Sequence, residues 1–431
     1  MTTSSSLRLA RAHPRLASII AWTFGIALSL IIPFARFGHK GLAPLLVAFG
    51  LIGIAYWAIR RGEIKVTLLT ALSALFVALT VASAIWSYTP GVTLKTSTSL
   101  IGTSFCAYAL FYLVANLEVD LRHLAIRIFV YGGLLGLTVL IIDVVPQEIN
   151  DIFVRGRSVY DSVAVQFWNE RKPTLSIATL LIWPWAAAAW RILPRYVTLG
   201  ALALYVVVLA AGEADAARTS ILISFIAGLS ILVARKATLR ISAAALAVLI
   251  LVMPLIPKLL TDPLSTEARY EGFSPSALHR IVIWQTAAEK IPDNPILGSG
   301  FDTTRALYPS GSGRWITMLP GTAHPLEIVA EPIPLHPHNM FLQIWVELGA
   351  VGAITAAIFL CGIIYTIGKY CRPDRVAAIA FGVFVSCLFI ANVSFGAWQA
   401  WWVATLIIVG AITTMVLKSD MQDYPPKTTG S

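Results

Sequence analysis

The sequence predicts an all-α membrane protein that crosses the bilayer many times, and three observations carry that prediction. The 431-residue chain is 57% hydrophobic and 13% charged, against about 25% charged residues in an ordinary soluble domain. Apolar stretches of about 20 residues, enough to cross the hydrocarbon core, recur with short polar breaks between them. The Lys and Arg residues of those breaks gather on alternate breaks, as the positive-inside rule requires of short loops. Composition also excludes other classes. Disorder needs low hydrophobicity, and a disulfide-stapled domain needs more than Cys106, Cys361, Cys371 and Cys387. The excess of 32 Lys and Arg over 22 Asp and Glu follows from loop bias, so no nucleic-acid partner is implied.

About twelve spans are expected, over residues 16–36, 41–59, 66–86, 98–117, 124–145, 173–190, 196–212, 218–234, 241–257, 339–368, 376–394 and 397–417. Arg8, Arg11, Arg15, Arg60, Arg61, Lys65, Arg122, Arg191, Arg195, Arg235, Lys236, Arg240, Lys369, Arg372, Arg375 and Lys418 then share one side. That side is the cytoplasm, and both termini lie in it. The breaks near Gly38, Tyr88, Gly212 and Gly396 are poor in cations and face outward. The first apolar segment follows a basic stretch but has no small-x-small cleavage site before Phe34-Ala35-Arg36-Phe37, so it is expected to be retained. Asp423 to Ser431 is expected to be a disordered cytoplasmic end.

The chain divides into membrane helices over 1–257, an external loop over 258–338, three further spans over 339–418 and a tail over 419–431. A second, shorter external segment covers 146–172. Loops this long usually carry function. In the longer one, Ser274 to Ile291 is expected to be an amphipathic helix, with Pro275 near its start and Ile281, Ile283, Trp284 and Ala288 toward one face. The run Asp293-Asn294-Pro295-Ile296-Leu297-Gly298-Ser299-Gly300 ends it. No repeat of fixed period and no zinc-type Cys/His spacing is present.

Candidate functional residues cluster on the external side. Arg218 stands at the outer start of a span, where it either snorkels to headgroups, pairs with Glu213 or Asp215, or faces an aqueous site. Arg280 lies on the amphipathic helix. It either faces solvent or joins Arg218 in holding a pyrophosphate, for which a planar fork of donors is suited. Arg269, Arg305 and Arg314 share the loop and are expected to be solvated. The run Leu335-His336-Pro337-His338-Asn339 places two of the seven histidines at the membrane surface, where His can take a proton from a hydroxyl. His338 is the expected base and His336 an auxiliary, because Pro337 between them makes equal roles implausible. Glu347, nine residues beyond His338, is either an intramembrane functional carboxylate or a helix-packing group. Arg171 and Lys172, before the sixth span, either contact phosphate or snorkel.

These residues form a recognisable set. Arg218, Arg280-x-x-x-Trp284, Asn294-Pro295-x-x-Gly298-x-Gly300 and His338-Asn339-x-x-Leu342-Gln343-x-Trp345-x-Glu347-Leu348-Gly349 resemble the O-antigen ligase/polymerase family. The architecture resembles that family along the whole chain, while the specific motifs fall within about residues 218–350. The resemblance implies a GT-C-like helical bundle in the bacterial inner membrane, with its site on the periplasmic face. It further implies an inverting, metal-independent glycosyltransferase that needs no cofactor. The implied donor is a glycan on undecaprenyl pyrophosphate, the implied acceptor a sugar hydroxyl of lipid A-core, and membrane lipid is the other partner. His338 would activate the acceptor, Arg218 and Arg280 would stabilise the leaving pyrophosphate, and Arg171, Lys172, His336, Asn339, Trp284 and Glu347 would contact substrate. The competing expectations are an O-antigen polymerase and a protein O-oligosaccharyltransferase. From another class comes a secondary transporter, which would have to use Asp143 and Glu347 near the midplane.

Overall fold

A computed structural model of the chain describes residues 14–60, 62–63, 65–144, 171–212, 214–263, 275–307, 314–318, 326–330, 333 and 335–422. The expected tail beyond Gln422, most of the 146–172 segment, Glu213 and Arg269 lie outside the described residues. Thirteen α-helices follow one another: α1 Pro14–Ser29, α2 Ile31–Gly38, α3 Leu42–Ile59, α4 Leu68–Ala82, α5 Pro90–Asn116, α6 Val119–Val144 and α7 Arg171–Ile192 form the first half. The second half has α8 Arg195–Ala211, α9 Asp215–Val252, α10 Pro275–Lys290, α11 Met340–Tyr370, α12 Asp374–Val393 and α13 Ala400–Gln422.

The all-α polytopic class stands, and all twelve expected segments fall on helical stretches. Nine helical stretches among the described residues are long and apolar enough to cross a membrane, a number that takes the bent α9 as one stretch. α8 has 17 residues and is a shorter apolar helix. The first expected span is split at Leu30 into α1 and α2. The eighth and ninth are joined in α9, which bends at Ala234 (φ −148, ψ 57). The second arm of α9 runs antiparallel along α11, and the first lies against α12, where Ser220 meets Ser386. Arg235 at the bend donates to the carbonyls of Gly368 and Cys371 at the far end of α11, whereas Trp345 near its start donates to the Ile250 carbonyl.

Four of the basic residues assigned to one side, Arg60, Arg191, Arg235 and Lys418, are held at helix ends, while Arg8, Arg11 and Arg61 lie outside the described residues. Arg60 pairs with Glu118, Lys418 donates to the Ala115 carbonyl, Arg191 reaches Val416 O, and Arg235 pairs with Asp374. Cations there also complement helix C-termini, whose last carbonyls lack partners within the helix. The core between the ends is apolar, with Trp402, Tyr56, Phe24 and Phe49 among its largest fully buried side chains.

The external loop departs from expectation in one respect. Besides the amphipathic helix, which appears as α10, it contains a two-stranded antiparallel hairpin, β1 Arg314–Met318 with β2 Leu326–Ala330, in register Arg314↔Ala330 and Ile316↔Ile328. Both stretches are rich in β-branched residues and are separated by Pro320-Gly321, a turn signal masked by the helical bias of the surrounding sequence.

Candidate active site

The site is built on the broken start of α11. Asn339 caps this helix by accepting from the Leu342 N–H at 3.0 Å, which satisfies one of the donors that a helix N-terminus leaves unpaired. Ten residues on, α11 is interrupted at Gly349 (φ 59, ψ −157), a left-handed conformation that favours glycine. The groups freed by the break are taken up by the segment after α10. Ser299 N and Gly300 N donate to the carbonyls of Val346 and Glu347, while Ala350 N and Val351 N donate to those of Pro295 and Ile296. A Cβ on Gly349 would collide with the Ile296 carbonyl. The spacing Asn294-Pro295-x-x-Gly298-x-Gly300 and the run Glu347-Leu348-Gly349 are thus two halves of one clasp.

Glu347 locks that clasp from inside. Its carboxylate is 0% exposed and accepts four hydrogen bonds: from Thr304 Oγ1 and Gln343 Nε2 on one oxygen, and from Asp302 N and Trp398 Nε1 on the other. The expectation that Glu347 contacts substrate is therefore corrected, since its acceptor sites are occupied by the fold. Asn339 is likewise committed to its cap and is buried.

The segment before α11 carries the two histidines. Trp284 on α10 donates through Nε1 to the Pro337 carbonyl at 3.0 Å, so this side chain holds the turn. His338 has φ 54, a conformation costing an L-residue roughly 1–2 kcal/mol and often found where function constrains the backbone. Its Nδ1 lies 2.5 Å from the Ser394 carbonyl. A carbonyl only accepts, so the proton sits on Nδ1 and Nε2 keeps its lone pair. Burial lowers the His338 pKa to about 4; the bond to Ser394 opposes this, and the charge of Arg280 adds to it. The imidazole is thus neutral at physiological pH. The ring of His336 stands edge-on to that of His338, with centroids 4.3 Å apart. Burial first, and His338 second, hold the His336 pKa down to about 3.

Asp215 bears on both arginines expected to be catalytic, Arg218 by an ion pair and Arg280 through its charge. Arg218, 40% exposed, donates to the carbonyls of Leu209 and Gly212 at the end of α8 and pairs with Asp215 at 3.3 Å. These contacts use three of the five N–H donors of a guanidinium and leave two for an anion. Asp215 also acts on Arg280, partly offsetting the lowering that burial imposes on that guanidinium, and Arg280 in turn acts on His338. In the sequence Asp215 stands only as a competing partner for Arg218; its effect on Arg280 was hidden because α10 begins sixty residues further along the chain.

Arg171 does not join this group as a free phosphate contact. It is bound to Asp143 through Nε at 3.2 Å and through the Asp143 backbone carbonyl, and Arg36 holds the other Asp143 oxygen at 2.5 Å. Its expected substrate role is corrected to an internal ion pair. Lys172 beside it is exposed, and Arg305 pairs with Asp302. Ser394, Trp398 and Gln399, all in the turn between α12 and α13, touch the site without having been singled out from the sequence. The aromatic-rich run Phe395-Gly396-Ala397-Trp398-Gln399-Ala400-Trp401-Trp402 was the available signal. Among the described residues, no group of three or more His, Cys, Asp and Glu side chains is placed to hold a metal ion.

A multi-pass helical membrane protein with a histidine and two arginines gathered at one end is the class that fold and site define. Residues 199–357 match the O-antigen ligase family model, a region that contains Arg218, Arg280, Trp284, His336, His338 and Glu347 but not Arg171 or Lys172. Over 174 residues the chain is 34% identical to a Rickettsia prowazekii protein named "Putative polysaccharide ligase", covering 40% of each chain. A Rickettsia conorii protein of the same description is 33% identical over 177 residues, 40% of this chain and 39% of that one. The chain thus matches about two fifths of the length of these relatives.

Proposed function

We propose that this protein is an inverting, metal-independent glycosyltransferase that moves an O-antigen glycan from undecaprenyl pyrophosphate to a sugar hydroxyl of lipid A-core, at the periplasmic face of the bacterial inner membrane with both termini in the cytoplasm. The observation that carries this reading is His338, fixed through Nδ1 to the Ser394 carbonyl with Nε2 left as base, and within reach of the charge of Arg280. The acceptor oxygen attacks the anomeric carbon from the face opposite the pyrophosphate. Its proton passes to His338 Nε2, the new C–O bond forms, and the old bond to the phosphate oxygen breaks with its electron pair leaving on undecaprenyl pyrophosphate. Such a leaving group needs charge stabilisation rather than protonation, and Arg280 with the two remaining donors of Arg218 supplies it. Arg218 is preorganised for this by the α8 carbonyls that hold it. The relatives' names, polysaccharide ligases, support glycan transfer.

The test is the lipopolysaccharide pattern of a deletion strain complemented with wild type or His338→Ala, measured with the undecaprenyl-linked glycan pool. A ligase leaves long polymer on the carrier and bare lipid A-core when His338 is replaced. A core bearing a single repeat would instead identify a polymerase. An unchanged core and carrier pool would remove glycan transfer altogether and bring the transporter reading forward.

A further inference from the structure

The contact between His338 Nδ1 and the Ser394 carbonyl decides which imidazole nitrogen keeps its lone pair, because the bond made by one ring nitrogen fixes the protonation of the other. What holds that carbonyl in place lies outside the residues assigned to the reaction. Ser394 is the C-cap of α12, and its φ −130 and ψ −52 take the chain off the helical path. Its carbonyl therefore points where the following turn sends it. That turn is tied back to α11 at two places: the Ala397 N–H donates to Gln343 Oε1 at 2.9 Å, and Trp398 Nε1 donates to Glu347 Oε2 at 2.5 Å. Trp398 reaches the helix through a long side chain, whereas Ala397 is held by its own backbone.

Gln343 closes a ring of bonds around the base. Its backbone N–H donates to the Asn339 carbonyl at 2.9 Å, Asn339 follows His338 in the chain, and His338 reaches Ser394, three residues before Ala397. Base and carbonyl are thus both referenced to one residue, the base through the first turn of α11 and the carbonyl through the Gln343 side chain. Gln343 is 3% exposed, and its partners fix how its amide is turned. The Ala397 N–H only donates, so Oε1 faces it, and Nε2 donates to Glu347 Oε1 at 3.0 Å. Among uncharged side chains of this length, glutamine alone accepts on one branch and donates on the other. A packing role would be served by any side chain of the same size.

We infer that Gln343 is a positioning residue for the proposed base: by holding the 394–398 turn against α11 it keeps the Ser394 carbonyl on His338 Nδ1, and so keeps the lone pair on Nε2. The inference rests on the transferase reading above for its effect on rate. It goes beyond that reading by giving a buried side chain, with both branches of its amide engaged, a part in the chemistry.

Nitrogen NMR of the full-length protein in nanodiscs, with isotopically labelled histidine, tests it. The His338 signals are those missing from His338→Gln among the seven histidines. In wild type the ring should show one tautomer, protonated at Nδ1. Gln343→Met keeps the side-chain length and removes both hydrogen bonds, so its His338 should divide between the two tautomers. Its kcat for transfer from undecaprenyl-pyrophosphate glycan to lipid A-core should fall about 10- to 10²-fold, the cost of a displaced catalytic group, with KM for both substrates unchanged. Gln343→Glu should restore the wild-type tautomer and most of kcat. Two carboxylates in contact share a proton, and a protonated Glu again accepts from Ala397 and donates to Glu347. If Gln343→Met yields no folded protein, Gln343→Asn, too short to span both partners, replaces it with the same expected result. A lower melting temperature with the tautomer and kcat of wild type would mark a packing role and overturn the inference, as would equal losses in Gln343→Met and Gln343→Glu. The tautomer is read without turnover, so a wild type that transfers no glycan removes the transferase reading and still leaves the ring to judge Gln343. A wild-type ring protonated at Nε2, with transfer intact, overturns the positioning role alone.

Discussion

Two stretches of the chain, eleven residues apart, use the same device for opposite ends. At Gly349 the backbone turns left-handed and every group released is taken up: Pro295, Ile296, Ser299 and Gly300 close the backbone, and four donors close Glu347. At His338 the backbone also turns left-handed, but there Nε2 of the imidazole keeps its lone pair. Saturation marks the clasp, and unspent hydrogen-bonding capacity marks the chemistry. A titratable side chain in an unusual conformation is therefore a site residue only when the fold has not already used its polar atoms.

The strongest way to break this contrast is His338→Ala. It should lower transfer by about 10²- to 10⁴-fold, the worth of a general base, while leaving the melting temperature near wild type. Equal loss of fold would place His338 with the clasp. Arg280→Gln should lower kcat by about 10²-fold with similar protein yield, read in the same transfer assay; Arg280→Lys should recover only part, because a point charge cannot replace a fork of donors. Glu347→Ala should show the reverse pattern, a loss of folded protein through stranded donors worth about 1–3 kcal/mol each, measured by melting temperature before any rate is taken.

Acid pH sharpens the contrast more gently. With a pKa near 4, His338 stays neutral down to that value, so transfer should be flat from pH 8 to below 6 and fall only toward pH 4, rather than halving at the ordinary histidine value of 6.5. The sign for stability is the same. The unfolded chain binds a proton near 6.5 that the folded chain refuses until about 4, so the stability present above 6.5 is lost as pH falls through that window. A kcat midpoint at 6.5 would show that the imidazole is solvated. Lys172→Ala, at an exposed position, should change transfer by less than about threefold, the scale of an exposed charge.

Much of this was legible in the sequence. Apolar length located the helices, and the cation pattern picked out Arg60, Arg191, Arg235 and Lys418, which are held at helix ends. The histidine and arginine candidates were found because charge at a membrane surface needs a reason. What local pattern could not show was which polar atoms were already spent. Glu347 and Arg171 looked available because their partners, Asp302, Thr304 and Trp398 for one and Asp143 for the other, lie 28 to 51 residues away in the chain. Asp215, Ser394 and Gln399 were passed over for the same reason: each acquires meaning only from a neighbour brought in by packing. The bend at Ala234 carried no Pro or Gly to announce it.

The joint at Gly349 has a mechanical consequence. A continuous helix passes bending along its length, so a rod running from the bilayer into the site would relay each fluctuation of membrane thickness or tension to the base. In α11 both sides of the break are fastened to the segment 295–304, the piece Met340–Leu348 through its last carbonyls and the piece beyond Gly349 through Ala350 and Val351. Bending that arrives at the joint is therefore met by the segment 295–300 as well as by the helix, and is shared with that segment instead of passing whole to the residues around His338.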